Sequence, residues 1–560
     1  MKKLFFLAAV CLMTISAAAQ GRRNLDTYIG ANLATEDLNG TARYVGMGGA
    51  LDALGADLST MGSNPAGIGM YRKNQVTVSF GLNSQQDGKA FHDALKTNAS
   101  FDQIGIVLST RVSPTSYFNF GFNFHKSRNF DYVLSAADVA INGSSLQRQT
   151  YVKLMRGDLD LVNPSDPMCS LVHPYRETQV DQLSYCINNQ YDNYDETGKY
   201  VGDSQGPYLG SFSPDGLDYT FDRAHTGYIG EYDFNLSGNI NNRVYLGLTV
   251  GIHDVHYNGY SEYFERYEPF DVISDNAPTP GTVLRTISQA KYTDKQRITG
   301  TGYDLKLGVI VRPMEESPFR FGLHIHTPTW YKLKATNYTA IHDGLGEVAH
   351  IDDNKEFRMN TPWKFGLSAG TTIGREWALG FGYEYTDYGS VDMRSITNRY
   401  YDAWGDAYRT DSESDAVMKR LTEKTLKGVH TLKLGAEFRP DDLLSLRLGY
   451  NYVSAMYQKD GVRDQTIDAP GNYMASTSDY TNWEDTHRLT AGVGFTFDAF
   501  RLDLAYQFQA TNGKFYPYMS SLTGSNVYTS GVPFTVTNEC HGVKVSNKRH
   551  QVLCTLGYTF

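Results

Sequence analysis

The first residues that could do chemistry are a pair of histidines. His324 and His326 stand two positions apart in FGLHIHTPTW, and on an extended strand this spacing puts both imidazoles on one face. Two imidazoles placed in this way could ligate a metal ion. Because no cysteine or acidic ligand stands beside them, we interpret them as polar side chains of an interior surface. We expect neither a metal nor a cofactor.

The serines and cysteines of the sequence form no recognisable catalytic or metal-binding motif. No G-x-S-x-G sequence occurs, so the nucleophile motif of many hydrolases is absent, and we expect no enzymatic activity. No C-x-x-C pair or zinc-like spacing occurs either. A Cys169–Cys186 bridge would fit an oxidising compartment. Pairing of Cys540 with Cys554 depends on how close their segments lie, and it stays open.

From Gln75 onward, apolar and polar residues alternate with a period of two. In Tyr117–Phe130, four phenylalanines at even positions face one way, and Asn119, Gly121, Asn123 and His125 face the other. Such alternation indicates strands with one apolar and one polar environment. The charged residues expected on the polar faces carry both signs, which favours an internal network of ion pairs over an ion-selective pore. They are Glu231, Asp233, Asp304, Lys306, Arg320, Lys364, Glu384, Lys433, Glu437, Arg447, Arg488, Arg501 and Asp503.

Short and long connections alternate between the strands. Turns such as Gly374-Arg375 and Asp498-Ala499 are short, whereas the connection from about Asp131 to Thr226 is very long. This asymmetry is typical of outer-membrane barrels, which have short periplasmic turns and long extracellular loops. We therefore predict an all-β fold, an antiparallel transmembrane barrel of about 14 strands over residues 75–560.

The N-terminus predicts export. Lys2 and Lys3 precede the apolar run Leu4–Ile15 and an A-x-A site, so residues 1–19 are interpreted as a signal peptide. Without those two lysines the chain has 49 Lys and Arg against 61 Asp and Glu, a formal charge of −12, which argues against nucleic acid as a partner. We expect a monomer in contact with lipid, in the cell outer membrane of a Gram-negative bacterium.

Residues 20–74 differ from the strands. Thr41–Met70 is rich in Gly and Ala, which allow close backbone packing. We expect helices around Leu25–Leu33 and Thr41–Leu54, and we interpret the segment as a small helical hatch, a plug inside the barrel. Glycines on the inward faces of the strands would leave room for it. They are Gly247, Gly251, Gly308, Gly322, Gly366, Gly380, Gly382, Gly435, Gly449, Gly492 and Gly494.

The run ARYVGMGGALDALGADLSTMGSNPAGIG resembles the N-terminal hatch of the FadL/TodX outer-membrane transport family. The resemblance covers residues 41–72 and includes the motif Asn64, Pro65 and Ala66. It implies passive uptake of hydrophobic molecules such as long-chain fatty acids, with the motif holding the turn of a gating hatch. It also implies lateral release beside a kinked third strand. The matching strand is Tyr117–Phe130, and the kink candidates are Gly121, His125, Lys126 and Ser127.

The long loop contains a helix-like piece, Leu146–Met155. Its apolar residues Leu146, Tyr151, Leu154 and Met155 stand near helical spacing. Such a helix could present an apolar groove that captures a hydrophobic ligand, or it could be a lid packed on itself. A second helical candidate, Asp415–Leu426, is interpreted as a packed loop element.

Two functions remain open on the sequence alone. The first is a channel that captures hydrophobic molecules with its loops and admits them past the hatch. The alternative is a surface receptor or adhesin barrel that binds haem or a macromolecule through its long loops. The hatch distinguishes them, because an adhesin does not need a plug.

Overall fold

The computed structural model describes residues 27–156, 158, 160–161, 171–172, 180–181, 183–184, 215–274, 282–343, 346–402, 407–465, 478–527 and 533–560. The predicted signal peptide and the predicted Cys169–Cys186 bridge lie outside the described residues. Cys540 and Cys554 are both free thiols.

The described chain consists mainly of strands. The α-helices are Thr27–Ala34, Ala42–Gly46, Leu146–Met155 and Ala416–Thr425, and the 3-10 helices are Leu58–Met61, Pro65–Met70 and Tyr388–Ser390. The strands, in chain order, are β1 (Gln75–Gln85), β2 (Thr97–Ser113), β3 (Ser116–Asn129), β4 (Tyr132–Asp138), β5 (Asp160–Leu161), β6 (Leu171–Val172), β7 (Gly216–Ile240), β8 (Val244–Ser274), β9 (Thr282–Val311), β10 (Arg320–His326), β11 (Trp330–Asp343), β12 (Gly346–Asn360), β13 (Lys364–Ile373), β14 (Trp377–Asp387), β15 (Asp392–Asp402), β16 (Ala407–Ser414), β17 (Gly428–Phe438), β18 (Leu444–Val453), β19 (Tyr480–Phe497), β20 (Phe500–Tyr516), β21 (Ser521–Val527), β22 (Pro533–Glu539) and β23 (Val543–Thr559).

Fourteen of these strands close into an antiparallel barrel. Around the wall the order is β1, β2, β3, β7, β8, β9, β10, β13, β14, β17, β18, β19, β20 and β23, and β23 pairs back with β1. The even number returns the C-terminus to the starting side, where the amide of Phe560 donates to the carbonyl of Asn74. The predicted fold class and strand number are confirmed.

The outer surface of the wall is apolar. Exposed aromatic and aliphatic side chains alternate with buried polar ones along the strands, as Phe118 and Phe120 do with Asn119 on β3. A closed barrel with such a surface is stable in lipid, because every wall strand has its backbone partners and the apolar side chains face the acyl chains. The protein is therefore an outer-membrane barrel. Among the described residues, no helix is long and apolar enough to cross a membrane.

Residues 27–71 lie inside the barrel as a hatch, and the wall glycines explain how they fit. A Cβ on Gly247 would collide with the backbone of Pro65, one on Gly380 with Ala50, and one on Gly449 with Gly48. Gly308, Gly322, Gly435 and Gly492 likewise meet hatch atoms. At Gly251, Gly366 and Gly494 the space is filled by side chains of the wall itself, and at Gly382 it is filled by Lys433 of the wall together with Asp52 of the hatch. The predicted inward glycines thus divide into contacts with the hatch and contacts with polar wall residues.

Three local predictions need correction. The helix expected over Thr41–Leu54 ends at Gly46, because Gly48 and Gly49 adopt φ values of 63° and 78° that a helix cannot continue. The strand expected over Phe319–Tyr331 is interrupted around Pro328, between β10 and β11. Finally, β7, β8 and β9 have 25, 31 and 30 residues, about two and a half to three times the membrane-spanning length of a tilted strand, so much of the predicted loop is an extension of the barrel.

Candidate functional site

A cavity of about 360 Å³ lies on the extracellular side of the hatch. Its floor is formed by hatch residues from Tyr28 to Ser63, and its walls come from strands on all sides of the barrel. The volume falls within the range of about 300–1,000 Å³ that is usual for small-molecule sites.

One part of the cavity wall is apolar. Leu33, on the hatch helix Thr27–Ala34, packs with Phe130, Tyr257 and Ile298 in a single buried cluster that joins hatch and wall. Each of these residues also lines the cavity. An acyl chain or an aromatic ring could replace water against this surface with a gain in free energy.

Another part of the cavity is cationic. Arg128 of β3 donates from Nη1 to Asp37 of the hatch at 2.9 Å, and Nη2 of Arg488 lies 4.0 Å from the same carboxylate. Arg549 also lies in this group and lowers the pKa of Asp37. Burial raises the pKa of Asp37, but Arg128, Arg549 and Arg488 together hold it below its usual value. One hatch carboxylate thus faces three guanidinium groups.

Above the cavity, the barrel extension is closed by an aromatic cap, which we define as Tyr132, Tyr219, Phe221, Tyr263, Tyr267, Tyr292, Tyr480, Phe515, Tyr516 and Tyr518 with their neighbours. Glu265 is buried beneath the lid helix Leu146–Met155, where it accepts from the amide of Leu146 at 3.3 Å and from the hydroxyl of Tyr267 at 2.8 Å. Burial raises the pKa of Glu265 to about 8. Burial likewise raises the pKa of Asp294 on β9 to about 8.

The apolar residues of the lid helix do not form an open groove. The helix has the predicted bounds, but Leu146 is buried in the aromatic cap, and Tyr151 is buried against Met519 and Leu522. Met155 packs on the second of these clusters, and the side chain of Leu154 lies outside the described part of the chain. Helical spacing alone does not predict which surface an apolar helix face packs against. In this protein the face packs against the aromatic cap and the cluster of Met519 and Leu522.

The hatch motif is fastened to the wall at several points. Asn64 caps the 3-10 helix Pro65–Met70, since its Oδ1 accepts from the amide of Ala66 at 3.2 Å. Asn235 of β7 donates to the carbonyl of Pro65 at 3.3 Å, and His326 donates from Nε2 to the carbonyl of Ser63 at 2.6 Å. This side of the hatch is therefore anchored by hydrogen bonds from neighbouring strands.

Beside the third wall strand, the hatch occupies a gap between β2 and β3. Their ladder reaches only to the pair Gln103–His125 on the extracellular side. Beyond it, the carbonyl of Lys126 accepts from Asn39 at 3.1 Å, and the carbonyl of Ser127 accepts from the amide of Asp37 at 2.8 Å. Hatch groups thus replace the missing strand neighbour.

The candidate kink residues do not share one role. The pairing of β3 with β7 shifts register between Lys126 and Arg128, so the irregularity falls at Ser127. Gly121 instead lies in a regular ladder on both sides, and its missing side chain makes room for Met61 of the hatch. His125 is the last residue of β3 that pairs with β2.

Ion pairs fill the lumen around the hatch, as predicted. Lys433 binds Asp52 of the hatch at 3.2 Å and Glu384 at 2.7 Å. Arg43 of the hatch binds Glu437 at 3.2 Å, which also binds Arg447 at 2.6 Å. Each of these groups connects hatch and wall, which agrees with a bracing network.

The predicted histidine pair lies among these contacts between hatch and wall. His326 binds the hatch carbonyl, and Nε2 of His324 lies 3.3 Å from Glu384. Among the described residues, His125, Glu231 and Asp233 are close enough together to share an ion. Lys306 already binds both of these carboxylates and approaches Asp304 at 3.6 Å. A lysine at the centre of the group leaves it poorly suited to a metal.

Sequence reasoning missed the cluster at Asp37. Arg488 was recognised as an inward charge, and Arg128 lies next to the kink candidates, but neither Asp37 nor Arg549 was singled out. Alternation along β23 places Arg549 on the side of Gln551 and Leu553, so the inward direction of Arg549 was predictable. The contact of Arg549 with a hatch residue was not predictable from the sequence.

No protein-family profile and no curated protein matches the chain. Among solved structures, the chain is similar to a Pseudomonas aeruginosa FadL homologue, with 13% identity over 94% of this chain and 100% of that chain and a TM-score of 0.47. It is also similar to the Ralstonia pickettii toluene transporter TbuX (11% identity, 93% and 99% covered, TM-score 0.43) and to the CymD monoaromatic hydrocarbon channel (10%, 94% and 98%, 0.44). These solved proteins are of the FadL/TodX type that the hatch motif resembles.

Proposed function

We propose that the protein is a FadL/TodX-type outer-membrane channel for the passive uptake of hydrophobic molecules with an acidic head, in particular long-chain fatty acids. The observation that carries the proposal is the cavity above the hatch, in which an apolar wall meets three arginines. A neutral hydrocarbon would use only the first of these features.

The two parts of the cavity match the two parts of a fatty acid. The apolar residues Leu33, Phe130 and Ile298 would receive the acyl chain. Guanidinium groups bind carboxylates through paired, charge-assisted hydrogen bonds. Besides Asp37, the carboxylate of Asp131 acts on Arg549, so the three arginines keep one positive charge in excess of these two carboxylates. That charge would attract the carboxylate of the ligand.

Asp37 would couple binding to the hatch. A ligand carboxylate that takes its place on Arg128 would release the segment from Asp37 to Asn39. That segment also covers the gap between β2 and β3, through its bonds to the carbonyls of Lys126 and Ser127. The anchored motif Asn64-Pro65-Ala66 would stay in place, so the hatch would open only on the side of the third strand.

Release would then be lateral, into the membrane. On the outer surface an apolar groove of about 490 Å³ is lined by Phe80 and Leu82 of β1, Phe101 of β2 and Val552 of β23. Phe101 lies on the part of β2 that does not pair with β3. A hydrophobic molecule that passes the gap would meet this groove before the bulk lipid.

The test compares oleate with oleyl alcohol, which has the same chain and no charge, by calorimetry on purified protein in maltoside micelles. The proposal predicts at least about tenfold tighter binding of oleate, and loss of this preference in Arg488→Gln. Arg501→Gln is the matched control, because Arg501 binds Asp503 and does not line the cavity. Equal affinity for both ligands would contradict an acid site and leave a channel for neutral molecules. Binding of neither by the folded barrel would favour the receptor alternative.

A further inference from the structure

The outer surface of the barrel repeats one side-chain arrangement on three strand pairs. A tyrosine hydroxyl bonds the Nδ1 atom of a histidine on the adjacent strand in Tyr383–His430, Tyr450–His487 and Tyr506–His550, at 2.7, 2.8 and 2.7 Å. The pairs join β14 with β17, β18 with β19, and β20 with β23. We call these six residues the tyrosine–histidine belt.

The surroundings of the three histidines are also alike. Each histidine stands directly opposite a second aromatic residue, which is Tyr385 for His430, Tyr452 for His487 and Phe508 for His550. The ring centroids of these opposite pairs are 5.3, 5.3 and 5.1 Å apart. Each imidazole is therefore held between two aromatic rings of one neighbouring strand, and its orientation is fixed by packing as well as by the hydrogen bond.

The belt lies at the extracellular edge of the apolar surface. Two positions from each histidine towards the periplasm, the outward-facing residue is Leu432, Leu489 or Val552. Two positions towards the extracellular side, the residues include Asp485 and Lys548. His550 precedes the last residue, Phe560, by ten positions. At about 3.3 Å per residue and a tilt of about 40°, this is about 25 Å along the membrane normal, the usual height of the apolar band. The belt thus stands where acyl chains give way to lipid headgroups.

We propose that the tyrosine–histidine belt binds the phosphate groups of lipids in the outer leaflet. When the tyrosine hydroxyl donates to Nδ1, the imidazole carries its proton on Nε2. In the described part of the chain, the Nε2 atoms of these three histidines have no hydrogen-bond partner. Three N–H donors, held at headgroup level and facing lipid, suit phosphate oxygens, which accept strong hydrogen bonds. The occupant is the phosphate group of an outer-leaflet lipid and not the transported molecule, whose proposed site lies inside the barrel.

The test is lipid retention by the purified barrel, measured by native mass spectrometry from maltoside micelles. The micelles contain equal amounts of phosphatidic acid and monogalactosyldiacylglycerol with the same acyl chains, so the two lipids differ in the phosphate. The wild type is expected to retain phosphatidic acid at least about fivefold better. The belt variant H430Q/H487Q/H550Q is expected to bring this ratio close to one.

A matched control replaces three exposed histidines outside the belt, in H92Q/H350Q/H541Q, and is expected to keep the wild-type ratio. The variant Y383F/Y450F/Y506F preserves the rings but removes the bond that orients each imidazole, and it should lower the ratio without affecting the heat-modifiable mobility of the folded barrel. Equal retention of both lipids by the wild type would overturn the proposal. So would an unchanged preference in the folded belt variant.

Discussion

Replacement of Asp37 by Asn separates the charge of this side chain from its shape. The backbone amide of Asn129 donates to the Asp37 carboxylate at 2.9 Å, and the side-chain oxygen of an asparagine at position 37 can still accept this bond. The asparagine side chain, however, no longer neutralises the arginines. In the wild type, an incoming carboxylate must first displace Asp37 from Arg128, which is 2.9 Å away. A hydrogen bond between charged groups contributes about 1.5–3 kcal/mol. Without this competitor, affinity for a fatty acid should rise by about 2 kcal/mol, or about thirtyfold.

The assay is calorimetric titration of oleate into wild-type and Asp37→Asn protein in maltoside micelles, with oleyl alcohol as the neutral reference. Asp102→Asn is the control, since Asp102 lies at the same gap but accepts from Asn39 and Ser100. Oleate affinity should rise in Asp37→Asn alone, and the alcohol should bind equally to all three proteins. Weaker or unchanged oleate binding in folded Asp37→Asn would refute the idea that Asp37 occupies the ligand's position.

Three further changes test the fit of the hatch in the barrel, the buried ion pairs of the wall and the protonation of Glu265 beneath the lid helix. Gly380→Ala should displace the hatch and increase leakage of small solutes in liposome swelling, whereas Gly557→Ala should not, because its nearest atoms are 3.6 Å away. Lys306→Met removes the ammonium group shared by the buried carboxylates of Glu231, Asp233 and Asp304 and should cost about 3–5 kcal/mol of barrel stability, measured as a lower temperature at which the compact electrophoretic form unfolds. Because the pKa of Glu265 is raised from 4.5 to about 8, its contribution to lid stability is full below pH 4.5 and is lost as the pH rises through 8. Hydrogen exchange of Leu146–Met155 should therefore increase over this range, and Glu265→Gln should abolish the dependence.

The barrel was predictable because its signals are local. Alternation with a period of two indicates which side chains face lipid, and the length of the connections indicates which end of the barrel is extracellular. The inward glycines belong to the same class of signal. Gly247 and Gly449 were assigned to the lumen from alternation alone, and both lie against the backbone of the hatch.

The details that the sequence did not reveal depend on tertiary contacts. The helix expected over Thr41–Leu54 was wrong because composition favours a helix there, whereas Gly48 and Gly49 adopt the left-handed region to fit the wall. The extensions of β7, β8 and β9 carry buried aromatic residues on their inward faces, but their outward faces hold polar residues such as Glu262, Lys295 and Arg297 and lack the lipid-facing signal. Asp37 and Arg549 are 512 positions apart, and only the placement of the hatch inside the closed barrel brings them together.

The central claim is that the hatch gates the entry of fatty acids, and uptake in cells tests it most directly. Cells that lack their own fatty-acid channel would express the wild type or the variant Asn64→Ala/Pro65→Ala, and accumulation of labelled oleate would be measured. Heat-modifiable mobility would verify that both barrels are folded. We predict uptake with the wild type and a clear reduction with the folded variant, which loses the cap of the hatch helix Pro65–Met70. Absence of uptake with a folded wild-type barrel, or equal uptake with both proteins, would contradict it.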